Sequence, residues 1–286
     1  MRDKNNNWKE VISPKNSIFD IKLKELYSYK DLVFLFVKRD FLAVYKQTVL
    51  GPLWYVVQPL LTATMLWFMF GKVAGLGTDG HNKLLFYYSG VIAWQYFSQN
   101  LVKISNTFVG NASLFGKVYF PRLSVPFSLI ISNLIGFGIQ FLILIIFLVY
   151  FVFEGEQNIT FDGYLFFVII DLIIIAFLGL GIGLIITSFT TKYKDLVYFI
   201  TFGIQLLMYT TPVIIPMSEI KAPFDKFVNL NPMTSVIENF RGIFLRSDSF
   251  FASFDGLIFS GVFSITILFV GLILFSKSEK NFMDTV

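Results

Sequence analysis

Between Lys46 and Lys72 the chain carries no charged residue. The stretch inside that gap, LGPLWYVVQPLLTATMLWFMFGKV (50–73), opens on a Gly-Pro break, passes the aromatic pair Trp54 and Tyr55, and then runs apolar. A helix needs about 20 such residues to cross a hydrocarbon layer about 30 Å thick. No water reaches the backbone in that layer, so a single crossing segment has to be helical. The gap therefore predicts a first membrane span, and every later charge-free run becomes a candidate for another.

Such runs recur. Residues 84–102, 123–153, 196–218 and 256–276 lack Asp, Glu, Lys and Arg, and 163–191 is interrupted only by Asp171. Six spans are predicted, at 52–73, 84–104, 124–152, 164–188, 196–215 and 256–276. The second is the most polar, with Ser89, Gln95, Ser98, Gln99 and Asn100, so that face is expected to turn toward protein or a water-filled path. Charged residues make up 15% of the chain, where a soluble domain carries about a quarter. Lys and Arg set the orientation. With the N-terminus inside, the inner segments hold 17 of them and the outer segments six. Both termini are expected in the cytoplasm, and the net charge of +4 becomes a topology signal, not a sign of nucleic-acid binding. The polar stretch Met1–Glu10 shows no apolar leader.

Before the first span, IKLKELYSYKDLVFLFVKRDFLAVYK (21–46) alternates apolar and charged clusters, and its longest apolar run, Leu32–Val37, is too short to cross. That pattern predicts a helix lying in the headgroup region. The inner loop KISNTFVGNASLFGKVYFPR (103–122) carries more aromatic side chains than a free loop would, so it is expected to dock on something. The outer segment from Pro216 to Asp255 contains Pro216, Pro223 and Pro232 and then an amphipathic run, Met233–Arg246. Long connections of this kind tend to be lids or gates.

Several chemistries are excluded. There is no cysteine, and the one histidine, His81, sits on an outer loop beside Asn82 and Lys83, where it reads as solvated. A metal centre and a membrane-embedded hydrolase both need more. Gly110–Lys117 (GNASLFGK) is the nearest approach to a phosphate loop. It has five residues between its glycines where four are required, and Val118 follows the lysine where Ser or Thr is required. This chain is not expected to bind nucleotide. Asp171 reads either as a path carboxylate or as a structural one near the outer interface, the second being favoured by its place nine residues after Asp162. Gly179 and Gly183, one turn apart on the fourth span, read as a close-packing face. A secondary transporter would call for inverted repeats and several intramembrane charges, and neither is present.

The combination resembles the membrane subunits of bacterial ABC exporters of lipid-linked polysaccharides. The resemblance rests on YKDLVFLFVKRDFLAVYKQTVLGPLWYVVQP (29–59), SLFGKVYFPR (113–122), TPVIIP (211–216) and LNPMTSVIENFRGIFL (230–245). It implies an all-α integral membrane domain over 1–286, with a cytoplasmic tail (1–20), an interface helix (21–46), six spans (52–276) with periplasmic gate helices between spans 5 and 6, and a second tail (277–286). It also implies a homodimer in the inner membrane, two copies of a separate ATPase that holds ATP and Mg, and an undecaprenyl-linked polysaccharide as cargo: O-antigen first, capsule or teichoic acid as alternatives. By the same resemblance Asn111, Leu114, Phe115, Lys117, Tyr119 and Arg122 belong to the element that seats on the ATPase. Tyr55, Trp67, Trp94, Tyr96, Tyr198 and Tyr209 are the expected channel aromatics, whose flat faces suit sugar rings. Pro216, Pro232, Phe240 and Arg241 are expected in the gate. Lys38, Arg39 and Lys46, clustered at the inner surface, are expected at the lipid phosphate.

Overall fold

A computed structural model describes residues 23–46, 49–155, 165–190, 192–193, 195–245 and 254–282. The expected tail 1–20 and the first residues of the interface helix lie outside them, as do the side chains of 23–24, 44–46, 165, 254 and 280–282. The fold is 83% helical, with no strand among the described residues, as an all-α membrane protein requires.

The helices are α1 (Leu23–Ser28), α2 (Lys30–Lys46), α3 (Trp54–Leu66), α4 (Lys83–Ser105), α5 (Thr107–Gly110), α6 (Ala112–Phe115), α7 (Ser124–Phe153), α8 (Leu165–Thr190), α9 (Leu196–Tyr209), α10 (Phe224–Asn229), α11 (Pro232–Leu245) and α12 (Phe254–Phe282). Among the described residues, four segments are long and apolar enough to cross a membrane: Gly51–Val73, Ser124–Phe153, Phe166–Thr190 and Asp255–Glu279. The other two expected spans differ for separate reasons. α4 is long enough but too polar, because it is the axis of the bundle: 16 of its 23 residues are buried, under α3, α7, α8 and α11. α9 stops at Tyr209, short of the expected 215, where Thr210, Thr211 and Pro212 turn the chain back and bury Val213 and Ile214. At about 1.5 Å per residue, 14 residues fall short of the hydrocarbon thickness.

Local sequence sets the boundaries. Gly51 takes a positive φ of +49° and Pro52 opens a 3₁₀ turn, so the first span starts at the Gly-Pro break. Its last part, Trp67–Val73, widens to a π-helix. The Asn82 side chain accepts from the Leu84 and Leu85 N–H groups at 3.0 and 3.4 Å and caps α4. Asn231 does the same for α11, accepting from Met233 N–H at 3.0 Å, with Pro232 as the first helical residue.

Close packing follows the glycines. A Cβ on Gly179 would stand 2.7 Å from Asn100 Cβ, and one on Gly183 would stand 2.7 Å from Ile104. The expected one-turn glycine pair thus seats α8 on α4. Gly181 faces the opposite way, onto Ile267 and Leu268 of α12, and Gly271 returns the contact. Hydrocarbon offers no hydrophobic drive between helices, so such close approach is what holds them together.

Candidate functional site

Chemistry-bearing residues gather in three places along the bundle axis. At one end, beside α1 and the end of α12, the 107–122 loop is a folded platform. Phe108 stacks on Phe275 of α12 with ring centroids 4.8 Å apart, and Phe115 packs on Phe108 and Phe120, which in turn meets Phe36 of α2. Polar ties fix its rim. Tyr119 donates to Glu25 of α1 at 3.2 Å, and Arg122 donates to the Glu279 carbonyl and lies 3.9 Å from its carboxylate. Burial pushes the Arg122 pKa down, and the nearby Glu279 and Tyr119 oppose that shift.

The six residues expected to seat on an ATPase divide accordingly. Phe115 is 4% exposed and points inward, so it anchors the loop and offers no docking surface. Asn111 and Leu114 are half-buried, Asn111 donating its amide to the Thr107 carbonyl. Lys117 and Tyr119 are exposed, and so is Val118 between them. Arg122 is half-buried. The same burial overtook the interface helix: α2 buries Val33, Phe36 and Val37 while leaving Phe34 and Leu35 exposed on the other side. Lys38 is exposed, Arg39 pairs with its neighbour Asp40 at 2.8 Å and lies over Phe36, and the Lys46 side chain is outside the described residues.

In the middle, α4 meets α7 through two polar clusters. Lys103 donates to Asn133 Oδ1 at 2.6 Å, and Asn133 donates to Asn100 Oδ1 at 2.8 Å. Two turns outward, Gln140 donates to Gln95 at 3.2 Å, and the Tyr88 hydroxyl donates to the Gln140 carbonyl at 3.1 Å. Gln95 and Asn100 of α4 therefore turn toward α7. Of the expected channel aromatics, Trp94 and Tyr96 are core residues, 4% and 3% exposed, packed on Phe97 and Phe137. Tyr55 lies on Gly136 of α7, which leaves room for its ring, and Trp67 stands near the Lys72 ammonium. Tyr198 and Tyr209 on α9 are exposed. One copy of the chain does not bring the six to a common face.

At the opposite end α11 is enclosed. Phe240 is fully buried among Phe137, Phe141 and Phe244, and Arg241 is 2% exposed. The Arg241 guanidinium lies 3.6 Å from the centre of the Phe86 ring and donates to Glu238 at 3.0 Å. Its Nε and Nη2 atoms, and the Tyr87 hydroxyl, have no partner among the described residues. Gly90 makes the room, since a Cβ there would stand 2.7 Å from Nη2. Asp171, fully buried on α8, accepts both contacts of the Asn239 amide, at 2.9 and 2.8 Å. This agrees with the structural reading of Asp171. Pro216 precedes a short 3₁₀ turn, Met217–Glu219, held to the 74–82 loop where Gly77 N–H donates to Glu219 at 2.7 Å and Ser218 donates to Asp79. His81 in that loop is half-buried, not free in solvent. Burial lowers its pKa, Asp79 opposes the shift and Arg241 adds to it.

Apolar spanning helices around a polar axis, with a folded aromatic platform at one end, define a polytopic membrane protein of the permease kind. The chain belongs to the ABC-2 type transporter family, whose pattern it matches over residues 31–245. It is 28% and 29% identical to two proteins of Klebsiella pneumoniae named O-antigen export system permease protein RfbA, over 269 residues in each case. Each match covers 92% of this chain and 98% of the relative. A Myxococcus xanthus protein of the same name is 25% identical over 267 residues, with the same coverage.

Proposed function

We propose that this chain is the membrane subunit of an ATP-driven exporter that carries an undecaprenyl-linked polysaccharide, O-antigen, across the bacterial inner membrane. The observation that carries the reading is the inner platform: a loop rich in aromatics, packed by Phe108, Phe115 and Phe275 and tied at Glu25 and Glu279, holding Lys117, Val118 and Tyr119 outward. A rigid, exposed apolar edge of this kind suits seating on a second protein. The named relatives, aligned over almost the whole chain, favour O-antigen over capsule or teichoic acid. In this reading two copies of the chain form the channel and two ATPase subunits supply ATP and Mg. α4 and α9 complete a set of six spans, and both termini are cytoplasmic. Tyr198 and Tyr209, exposed on α9, are the aromatics best placed to meet cargo or a second copy. Segment 216–245 closes the outer end, and Lys38 and Arg39 lie at the depth of a lipid phosphate. ATP-driven closure of the partners biases the channel through the platform.

The test is co-purification of the tagged chain with the ATPase encoded beside it, followed by hydrolysis measurements in nanodiscs. A two-plus-two complex is expected. Val118→Asp is expected to abolish its assembly or its response to the membrane subunit while leaving the permease folded, because Val118 is 58% exposed. A chain that purifies alone and shows no nucleotide dependence overturns the reading.

A further inference from the structure

Under the exposed helix α10 lies a cavity of about 980 Å³, near the top of the range of about 300–1,000 Å³ that ligand sites occupy. Its walls are apolar: Phe97 of α4, Leu178 of α8, Leu207 of α9, Phe227 of α10 and Phe263 of α12. Phe97 and Leu178 stand near the middle of their helices, so the cavity runs from the α10 end of the bundle to about half its depth. The charged groups of the lining are confined to Glu219 and Lys221, in the loop before α10, and Asn231 joins them at the start of α11.

Those rim groups have unspent capacity. Asn231 uses its oxygen to cap α11, while its buried Nδ2 has no partner among the described residues. Lys221 is exposed and forms no ion pair among the described residues. Glu219 Oε1 accepts from Gly77 N–H, which leaves the carboxylate its negative charge. A deep apolar volume with an ammonium and a carboxylate at its mouth matches an amphiphile with two kinds of charge in its head.

We propose that this cavity holds a glycerophospholipid of the adjoining leaflet whose head carries a phosphate and a primary ammonium. The acyl chains fill the apolar part, and the phosphate oxygens accept from the Lys221 ammonium. The headgroup ammonium donates to Glu219. An anionic head would leave Glu219 facing uncompensated charge, and a quaternary ammonium has no N–H to give. The site is independent of which cargo the protein moves. It would couple the seating of α10, and the strap at Gly77 and Glu219, to the lipid around the protein.

The experiment places a reporter in the wall, Phe227→Trp, and reconstitutes the protein in phosphatidylcholine nanodiscs containing a minor fraction of lipid with brominated chains. Bromine quenches tryptophan only near contact, and the parent chain, whose described tryptophans do not line the cavity, gives the background. Brominated phosphatidylethanolamine is expected to quench with a dependence on mole fraction about fivefold to tenfold steeper than brominated phosphatidylcholine or phosphatidylglycerol, the ratio one net hydrogen bond supplies. Glu219→Gln should reduce phosphatidylethanolamine to the level of phosphatidylcholine, and Lys221→Glu, which removes the donor to the phosphate that all three lipids share, should weaken quenching by each of them. Equal quenching by all three lipids means bulk lipid at an open surface and overturns the proposal. So does stronger quenching by phosphatidylglycerol, or none at all. Native mass spectrometry of the unsubstituted chain asks the same question without a variant. One phosphatidylethanolamine that survives detergent exchange is expected, and its absence refutes the site.

Discussion

The Asp171–Asn239 pair offers the sharpest energetic test of how α11 is held. Asp171 is fully buried on α8, and both its oxygens lie within 2.9 Å of one amide nitrogen on α11. Asn239→Leu leaves the carboxyl group without that donor. Orphaning a buried polar group costs about 1–3 kcal/mol in soluble proteins, whereas polar pairs between membrane helices average about 0.6 and reach about 1.7 kcal/mol, because the unfolded chain also finds partners in the membrane. Asp171 belongs at the upper end of the membrane range, since it is shielded from lipid and water alike, so the expected loss is about 1.5–2 kcal/mol. Asp171→Leu should cost less, as the amide it frees is neutral, and the double variant should cost about 1–2 kcal/mol less than the two single losses added together. Unfolding of the purified protein in mixed detergent–dodecyl sulfate micelles, followed by circular dichroism, measures all four corners of the cycle. Additive losses would show that the contact joins α8 to α11 without energetic consequence.

Other expectations follow from single contacts. Gly183→Leu should lower stability by about 1–3 kcal/mol through overpacking on Ile104, with partial recovery in Gly183→Leu/Ile104→Ala, while Gly203→Leu, which meets nothing within 4 Å, should be silent in the same unfolding assay. Arg241→Gln strips Glu238 of its partner inside the bundle and should cost about 3 kcal/mol, read as loss of monodisperse protein on thermal challenge; an unchanged melting temperature refutes the buried-pair account. His81 has its pKa lowered by burial, with Arg241 adding to the shift and Asp79 opposing it. The unfolded chain therefore takes up the proton first, and stability should fall as pH drops below about 6.5. His81→Gln should flatten that part of the stability–pH curve, and a curve that keeps its slope assigns the dependence to other groups.

Much of the architecture was legible because lipid restricts what a chain can do. Charge gaps located the four apolar crossings to within a few residues, at 51–73, 124–153, 166–190 and 255–279, and the spacing of Gly179 and Gly183 announced a close-packed face on α8, whose partner the structure identifies as α4. The polarity of 84–104 was legible too, and it is resolved by contact with α7 through Gln140 and Asn133. α9 was overextended for a physical reason: hydropathy is blind to whether an apolar stretch such as Val213–Ile214 continues a helix or turns into the protein, and Thr210–Pro212 carried the turn.

The functional residues were less legible, because the decisive variable is which side of an element faces the protein. Phe115 and Tyr119 stand one helical turn apart in sequence and read alike as apolar loop residues, yet one is the keystone of an aromatic cluster and the other is exposed. Trp94 and Tyr96 were grouped with Tyr198 and Tyr209 by the resemblance, which does not say which side of each helix faces the protein. α4 is surrounded and α9 is not, so the first two are core and the last two are surface. Separation along the chain hides the rest. The Tyr119–Glu25 and Arg122–Glu279 ties span 94 and 157 residues, and no local pattern of charge or hydropathy announces a partner so distant. Those ties decide how the platform can move. It is fastened to α1 on one side and to the end of α12 on the other, and α12 reaches back to the far end, where Ser260 donates to the Pro232 carbonyl at the start of α11. A push on Lys117–Tyr119 thus meets one continuous 29-residue helix that also carries the first turn of α11, and the two ends of the bundle cannot be displaced independently along it without breaking the Phe108–Phe275 stack or the Ser260–Pro232 bond.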